Sequence, residues 1–282
     1  MPKPESDGRE MPDPVTGAAA LAKAMGSVGS QGEKVAGNLL TRLLGPSADA
    51  FGEALARAVE YRTRNFGRIA ERADAKSQGN RDGIVNTRVA FVMLEDGSLC
   101  NDELMAEYLG GVFAGTRTFS GKDDRAVSWI KVIAGLSALE IRAHFLLYRE
   151  WAGRLHGRTD LNLGMTLSTI RATLDVELHE FERLLNADDS IPFGQATAHA
   201  IPGLQAVKLL SDNSACGPRS EVARDSPFEN VLQVQPSMRG CELYGWAQGL
   251  PGLSAEEFTS KAEVFDTEPA IPRLENVALT RL

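Results

Sequence analysis

The chain is poor in the residues that carry most recognisable chemistry. Among 282 residues there are only three Cys, four His and three Trp, and aromatics make up 6%. Cys100, Cys216 and Cys241 are far apart and odd in number. That excludes a zinc knuckle or a disulfide framework and leads us to expect three reduced thiols. Nowhere do about eighteen apolar residues run without a charge, so no membrane-spanning helix is expected. The opening residues, Met1 to Asp7, lack the apolar run of a signal peptide, and a cytoplasmic location is expected.

Several catalytic motifs are approached and missed. Ser120-Gly121-Lys122 has the end of a phosphate-binding loop, but Thr116 stands at the position of the leading Gly and Asp123 at that of the hydroxyl. Gly26, Gly29 and Gly32 follow no strand, so they make no dinucleotide fingerprint. His179-Glu180 begins like a zinc-protease helix, yet Arg183 occupies the place of the second His. None of His144, His156, His179 and His199 has a carboxylate or Cys at metal-ligand spacing. The pairs Asp102-Glu103, Asp123-Asp124, Asp188-Asp189 and Glu256-Glu257 are adjacent, and neighbours on a helix point apart. No Gly-x-Ser-x-Gly elbow occurs. We therefore assign no catalytic residue, cofactor or metal, and expect a non-enzymatic protein. A site assembled through space is the weaker alternative.

What is present favours helix. Apolar residues are 43% and charged residues 24%, enough for a packed core. Ala, Leu, Glu and Arg lose little side-chain freedom in a helix. The formal charge is −8 and the pI about 5.2, so binding to phosphate backbones would need a local basic patch.

Four regions are expected: a Pro- and Gly-containing arm over 1–33, a helical domain over 34–155, a winged-helix-like α+β unit over 156–250, and an acidic tail over 251–282. The fold class is thus mainly α, a helical bundle followed by a small α+β unit. After an apolar run from Val35 to Leu44, Gly45-Pro46 opens a long helix. Phe51, Leu55, Ala58, Val59, Phe66, Ile69 and Ala73 recur at intervals of three and four along it, and it should end at Ser77–Asn80. Helices are expected over 84–94, after an Asn101 cap, over 127–134, and from a Ser137–Glu140 capping box to about Gly153.

In the second half, Leu167, Ile170, Leu174, Leu178, Phe181 and Leu185 suggest a helix over 166–185. Two shorter apolar segments follow, at 195–200 and 204–210. Val231 to Gln235 alternates like a strand, with Ser220–Arg224 as its hairpin partner, before a helix over 238–248. Helices followed by a two-stranded ribbon outline a winged helix-turn-helix. Beyond Leu250 only a short helix near 255–264 is expected.

One charge pattern has candidate function. Arg57, Arg64, Arg68, Arg72 and Lys76 form a basic ladder, and the stretch from Arg57 to Arg88 holds eight basic and four acidic residues. Like charges four apart cost helix stability. The ladder is either a salt-bridged face or a contact for a partner: a protein, nucleic acid, or anionic lipid. Residues 186–235 offer three cations against six acids, so base reading by the winged unit is disfavoured.

Several segments are similar to one family. Leu43 to Glu53, with Gly45-Pro46, Ala48-Asp49 and Gly52-Glu53, resembles the opening of abortive infection alpha domains of bacterial phage defence. Tyr61 to Phe66 and Ile69 to Ala73 resemble the aromatic-and-basic stretch that follows there. Leu94 to Leu109, with Ser98-Leu99-Cys100-Asn101-Asp102-Glu103-Leu104, resembles the family's apolar-acidic block, and Leu136 to Glu140 its helix start. Val231 to Gly240 resembles its closing strand-turn-helix. The likeness covers about residues 36 to 248. Departures are Asp96-Gly97 in place of small apolar residues, Tyr108 in place of Trp, and Ala138 in place of Pro. The resemblance implies a role in defence against phage, with the mechanism left open. From the basic ladder we expect action through a macromolecular partner, most simply a protein, with nucleic acid as the alternative.

Overall fold

The computed structural model describes residues 47–77, 83–157, 172–187, 191–261, 263–267 and 270–281. The expected arm over 1–33, the run from Val35 to Leu44, and Leu167 and Ile170 lie outside these residues. Two units emerge, Met1–Tyr61 and Arg62–Leu282.

The long helix is present as α1, Ser47–Lys76. Its end is sealed by Ser77, whose hydroxyl donates to the Ala73 carbonyl at 2.6 Å. Burial varies among the described side chains of its apolar stripe. Ile69 and Ala73 are fully buried and Phe66 is half-buried, whereas Ala58 and Val59 are exposed. Period sets which face is apolar, and a neighbouring element must supply the cover.

Helices α2 (Thr87–Glu95), α3 (Glu103–Gly115), α4 (Ala126–Gly135) and α5 (Ala138–Leu155) follow. A 3-10 turn, Gly97–Leu99, links α2 to α3. The cap of α3 is Asp102, not Asn101: its carboxylate accepts the Met105 N–H at 2.9 Å. Ser137 and Glu140 form the expected reciprocal capping box at the start of α5. Helix α3 is buried on nearly every side, including Tyr108, Leu109 and Val112.

The second half mixes helices with a sheet. Residues 172–177 are not helical but form strand β1 (Ala172–Glu177), and α6 (Leu178–Leu185) begins directly after it. Leu174, Leu178 and Phe181 satisfy helical spacing on paper. Pairing on both sides of β1 wins, and it buries Thr173, Leu174, Asp175 and Val176 together. The two segments expected at 195–200 and 204–210 are corrected as well. The first extends into α7 (Gln195–Ala206), and the second is the end of that helix followed by a turn at Lys208, φ 62°.

Strand β2 (Ala215–Pro218) pairs antiparallel with β3 (Asn230–Val234). The expected partner, Ser220–Arg224, instead begins within the one-turn helix α8 (Arg219–Val222). Helix α9 (Met238–Ala247) matches expectation. After it come α10 (Ala255–Lys261) and β4 (Val277–Arg281). The irregular tail expected after α10 is corrected by β4, which joins the sheet beside β1. The sheet order is β2-β3-β1-β4, all antiparallel. The molecule is mainly α with a small sheet, and among the described residues no helix is long and apolar enough to cross a membrane.

Candidate functional site

The basic ladder divides along α1. Its C-terminal part meets two carboxylates of α3 placed one turn apart, Glu103 and Glu107. Arg68 pairs with Glu103 and donates to Asn65 Oδ1 at 2.6 Å and to the Asn101 carbonyl at 3.1 Å. Asn65, itself buried, donates to the Ser98 carbonyl at 2.9 Å. Arg72 Nε lies 2.9 Å from Glu107 Oε1, and its Nη2 lies 3.9 Å from Glu103.

Lys76 Nζ lies 2.7 Å from Glu107 Oε2 and donates to the Glu107 and Ala247 carbonyls at 2.7 and 2.9 Å. It also sits 5.1 Å from the centre of the Phe265 ring. Burial pushes the Lys76 ammonium below the usual lysine range, opposed by the Glu107 charge. The repulsion between cations four apart is thus offset by acids of matching spacing on the facing helix. For Arg68, Arg72 and Lys76 this arrangement fits the salt-bridge reading. Glu103 and Glu107 carry the same four-residue interval in the sequence, and that was the signal available to find them.

Arg57 and Arg64 are differently placed: both side chains are exposed. Between them Val59 is 51% and Tyr61 36% exposed. Arg68, Arg72 and Lys76 thus lie against the α3 carboxylates, and the side chains of Arg57 and Arg64 are exposed with apolar neighbours.

Three other groupings escaped the sequence reading. His144, fully buried on α5, has Nδ1 2.7 Å from the Tyr108 hydroxyl and Nε2 3.2 Å from the Gly240 carbonyl. A carbonyl only accepts, so Nε2 carries the hydrogen and Nδ1 accepts from Tyr108. The ring stacks on Tyr148 at 4.3 Å. The Tyr148 hydroxyl in turn donates to the Leu209 carbonyl at 2.6 Å and accepts the Ser237 N–H at 3.0 Å. Burial lowers the His144 pKa to about 3 and raises that of Tyr148 far above the ordinary phenol range. This group ties α3, α5 and α9 together and faces no solvent.

At the surface, His199 Nε2 lies 3.0 Å from Ser137 Oγ and 3.9 Å from Glu140 Oε2. Glu140 accepts the Ser137 hydroxyl at 2.8 Å. A hydrolytic triad places the acid on the far ring nitrogen of His, where it orients the base. Here the carboxylate and the hydroxyl share one nitrogen, and the same two side chains cap α5. The arrangement is a helix cap with a histidine leaning on it.

Third, an open concavity of about 360 Å³ lies where the 3-10 turn and the start of α3 meet α4 and α5, lined in part by Asp96, Leu99, Cys100 and Asp102. The near-miss phosphate loop is an ordinary turn, with Gly121 at φ 62° and its N–H donating to Thr118 Oγ1 at 3.1 Å. Among the described residues no group of three or more His, Cys, Asp or Glu is arranged to hold a metal ion. No family model matches the chain, and no curated protein or solved structure gives a significant match.

Proposed function

We propose that this chain is a partner-binding protein of the abortive-infection type, acting by macromolecular contact rather than by catalysis, with the exposed half of α1 as its contact surface. One observation supports the reading. Among the described side chains of α1, Ile69 and Ala73 are buried and Phe66 is half-buried, whereas Val59 and Tyr61 are exposed in the same stretch as Arg57 and Arg64. Aromatic and arginine side chains together are what interface anchors are made of. The defence role rests on the ordered likeness of residues 36–248 to abortive infection alpha domains. The order α6, α7, β2, β3 fits the later part of a winged helix-turn-helix, and we read that unit as contacting protein. Nucleic acid has less support as the partner, because Arg68, Arg72 and Lys76 face carboxylates and phosphate neutralisation takes several cations.

The test is a plating assay. A bacterial host expressing the chain should restrict at least one phage of a diverse panel by about tenfold or more, the scale of one lost interface anchor. The variant R57E/V59D/R64E should fold, by circular dichroism, and restore plating. Unrestricted growth of every phage on the wild type, or full restriction by the variant, overturns the proposal.

A further inference from the structure

A second surface, on different elements from α1, has a chemistry of its own. Helix α2 buries Val89, Val92 and Met93, which turns Phe91 and Leu94 outward at 64% and 49% exposure. Ser98 donates to the Leu94 carbonyl, so the 3-10 turn stays folded against the helix end and Leu99, 52% exposed, follows on from Leu94. Single exposed leucines are ordinary on a protein surface; three large apolar side chains in succession are a patch.

The patch has an acidic border. Glu95 is exposed beside Leu94, and Asp96 and Asp102 stand on the wall of the concavity that Leu99 also lines. The rest of that lining is mostly apolar, with Met105 and Leu136 among it. Two nearby cations are engaged: Arg68 by Glu103, Asn65 and the Asn101 carbonyl, and Arg88, one turn before Phe91, by Asp124 at 2.7 Å. Lys131 lies one turn before Ala134 on the far wall, so an incoming positive charge belongs on the Asp96–Asp102 side. The thiol of Cys100, between the two acids, is pushed up to about 11 by burial and then by Asp102 and Asp96.

We propose that this face binds a cationic amphipathic helix from a partner protein. Its apolar side chains cover Phe91, Leu94 and Leu99, and one Lys or Arg enters the concavity between Asp96 and Asp102. Charge complementarity selects this occupant, because the acidic border repels nucleic acid and anionic lipid and leaves an uncharged helix with an unfilled acidic wall. A helix laid on a groove presents anchors at three- and four-residue intervals, which matches an apolar patch with a cation socket at one end.

The test uses the full chain and a fluorescein-labelled Leu/Lys amphipathic peptide of about five helical turns, with a Leu/Glu peptide of the same pattern as control. Anisotropy titrations at about 0.15 M salt avoid nonspecific attraction at low ionic strength. The wild type should bind the Leu/Lys peptide and not the Leu/Glu peptide. F91S/L94S and D96N/D102N should each weaken binding by about tenfold or more. Asn at 102 still caps α3, and Phe91 and Leu94 are exposed, so both variants keep the fold. Absence of binding, or equal binding to all three proteins, overturns the proposal. So does a wild-type dimer in sedimentation velocity that F91S/L94S abolishes, since the face would then belong to a second copy of this chain.

Discussion

His144 accepts the Tyr108 hydroxyl at 2.7 Å through a ring nitrogen that a proton would otherwise occupy. Protonation must break that bond and place a charge in a fully buried site, so the folded-state pKa falls to about 3 from 6.5. The unfolded chain then takes the proton first. The stabilisation is complete above pH 6.5 and is lost as pH falls toward 3, amounting to about 2 kcal/mol at pH 5. Urea unfolding at pH 7, 6 and 5 checks this. His144→Leu should be less stable at pH 7 by about 2–4 kcal/mol, because Tyr108 and Gly240 lose their partners, but its acid dependence should be shallower.

Glu107 holds both Arg72 and Lys76 while 5% exposed. Glu107→Gln should cost about 3–5 kcal/mol, since it leaves a buried ammonium with only carbonyl partners. Adding Lys76→Met should recover part of that loss. A double-mutant cycle by chemical denaturation measures the coupling, and strict additivity would deny that the two side chains act as a pair.

Two glycines in helices should respond in opposite directions. A Cβ on Gly111 would fall inside the backbone of Ala247, where α3 and α9 touch. A Cβ on Gly67 meets nothing within 4 Å. Gly111→Ala should therefore destabilise by about 3 kcal/mol or more, by forcing two helices apart. Gly67→Ala should stabilise by about 0.5–1 kcal/mol through backbone entropy. Thermal melts of both variants decide.

Glu182, on α6 and 2% exposed, accepts the N–H groups of Gly194, Ala196 and Thr197 at 2.9, 3.2 and 3.1 Å and the Thr197 hydroxyl. It caps α7 from outside that helix, and its charge sits at the positive end of the helix dipole. Glu182→Ala should cost about 2–4 kcal/mol, with Glu182→Gln retaining an acceptor and losing less. Hydrogen exchange at Ala196 and Thr197 should rise sharply in the alanine variant.

Local signals survived folding well. The three- and four-residue spacing along α1, the Ser137–Glu140 box and the helix expected over 238–248, found as Met238–Ala247, depend on residues close in sequence, and each is present as a local element. Strand β1 was illegible for the opposite reason. Leu174 and Leu178 match a helical period, while the pairing that overrides it comes from residues about sixty and a hundred positions away. The candidate site shows the same divide. Spacing exposed the ladder on α1, but only the position of α3 distinguishes Arg68, Arg72 and Lys76 from the exposed Arg57 and Arg64.

Strand β4 adds to the sheet at the flank of β1, where the Thr280 hydroxyl meets Thr173 at 2.7 Å and Asp175 at 3.3 Å. Thr173 therefore waits for a residue made about a hundred positions later, while Asp175 is also held by Gln233 Nε2 at 2.9 Å. Until Val277–Arg281 leave the ribosome that flank of β1 has no strand beside it, so a chain stopped upstream of 277 should hold β1 by its β3 side alone and be more prone to aggregate.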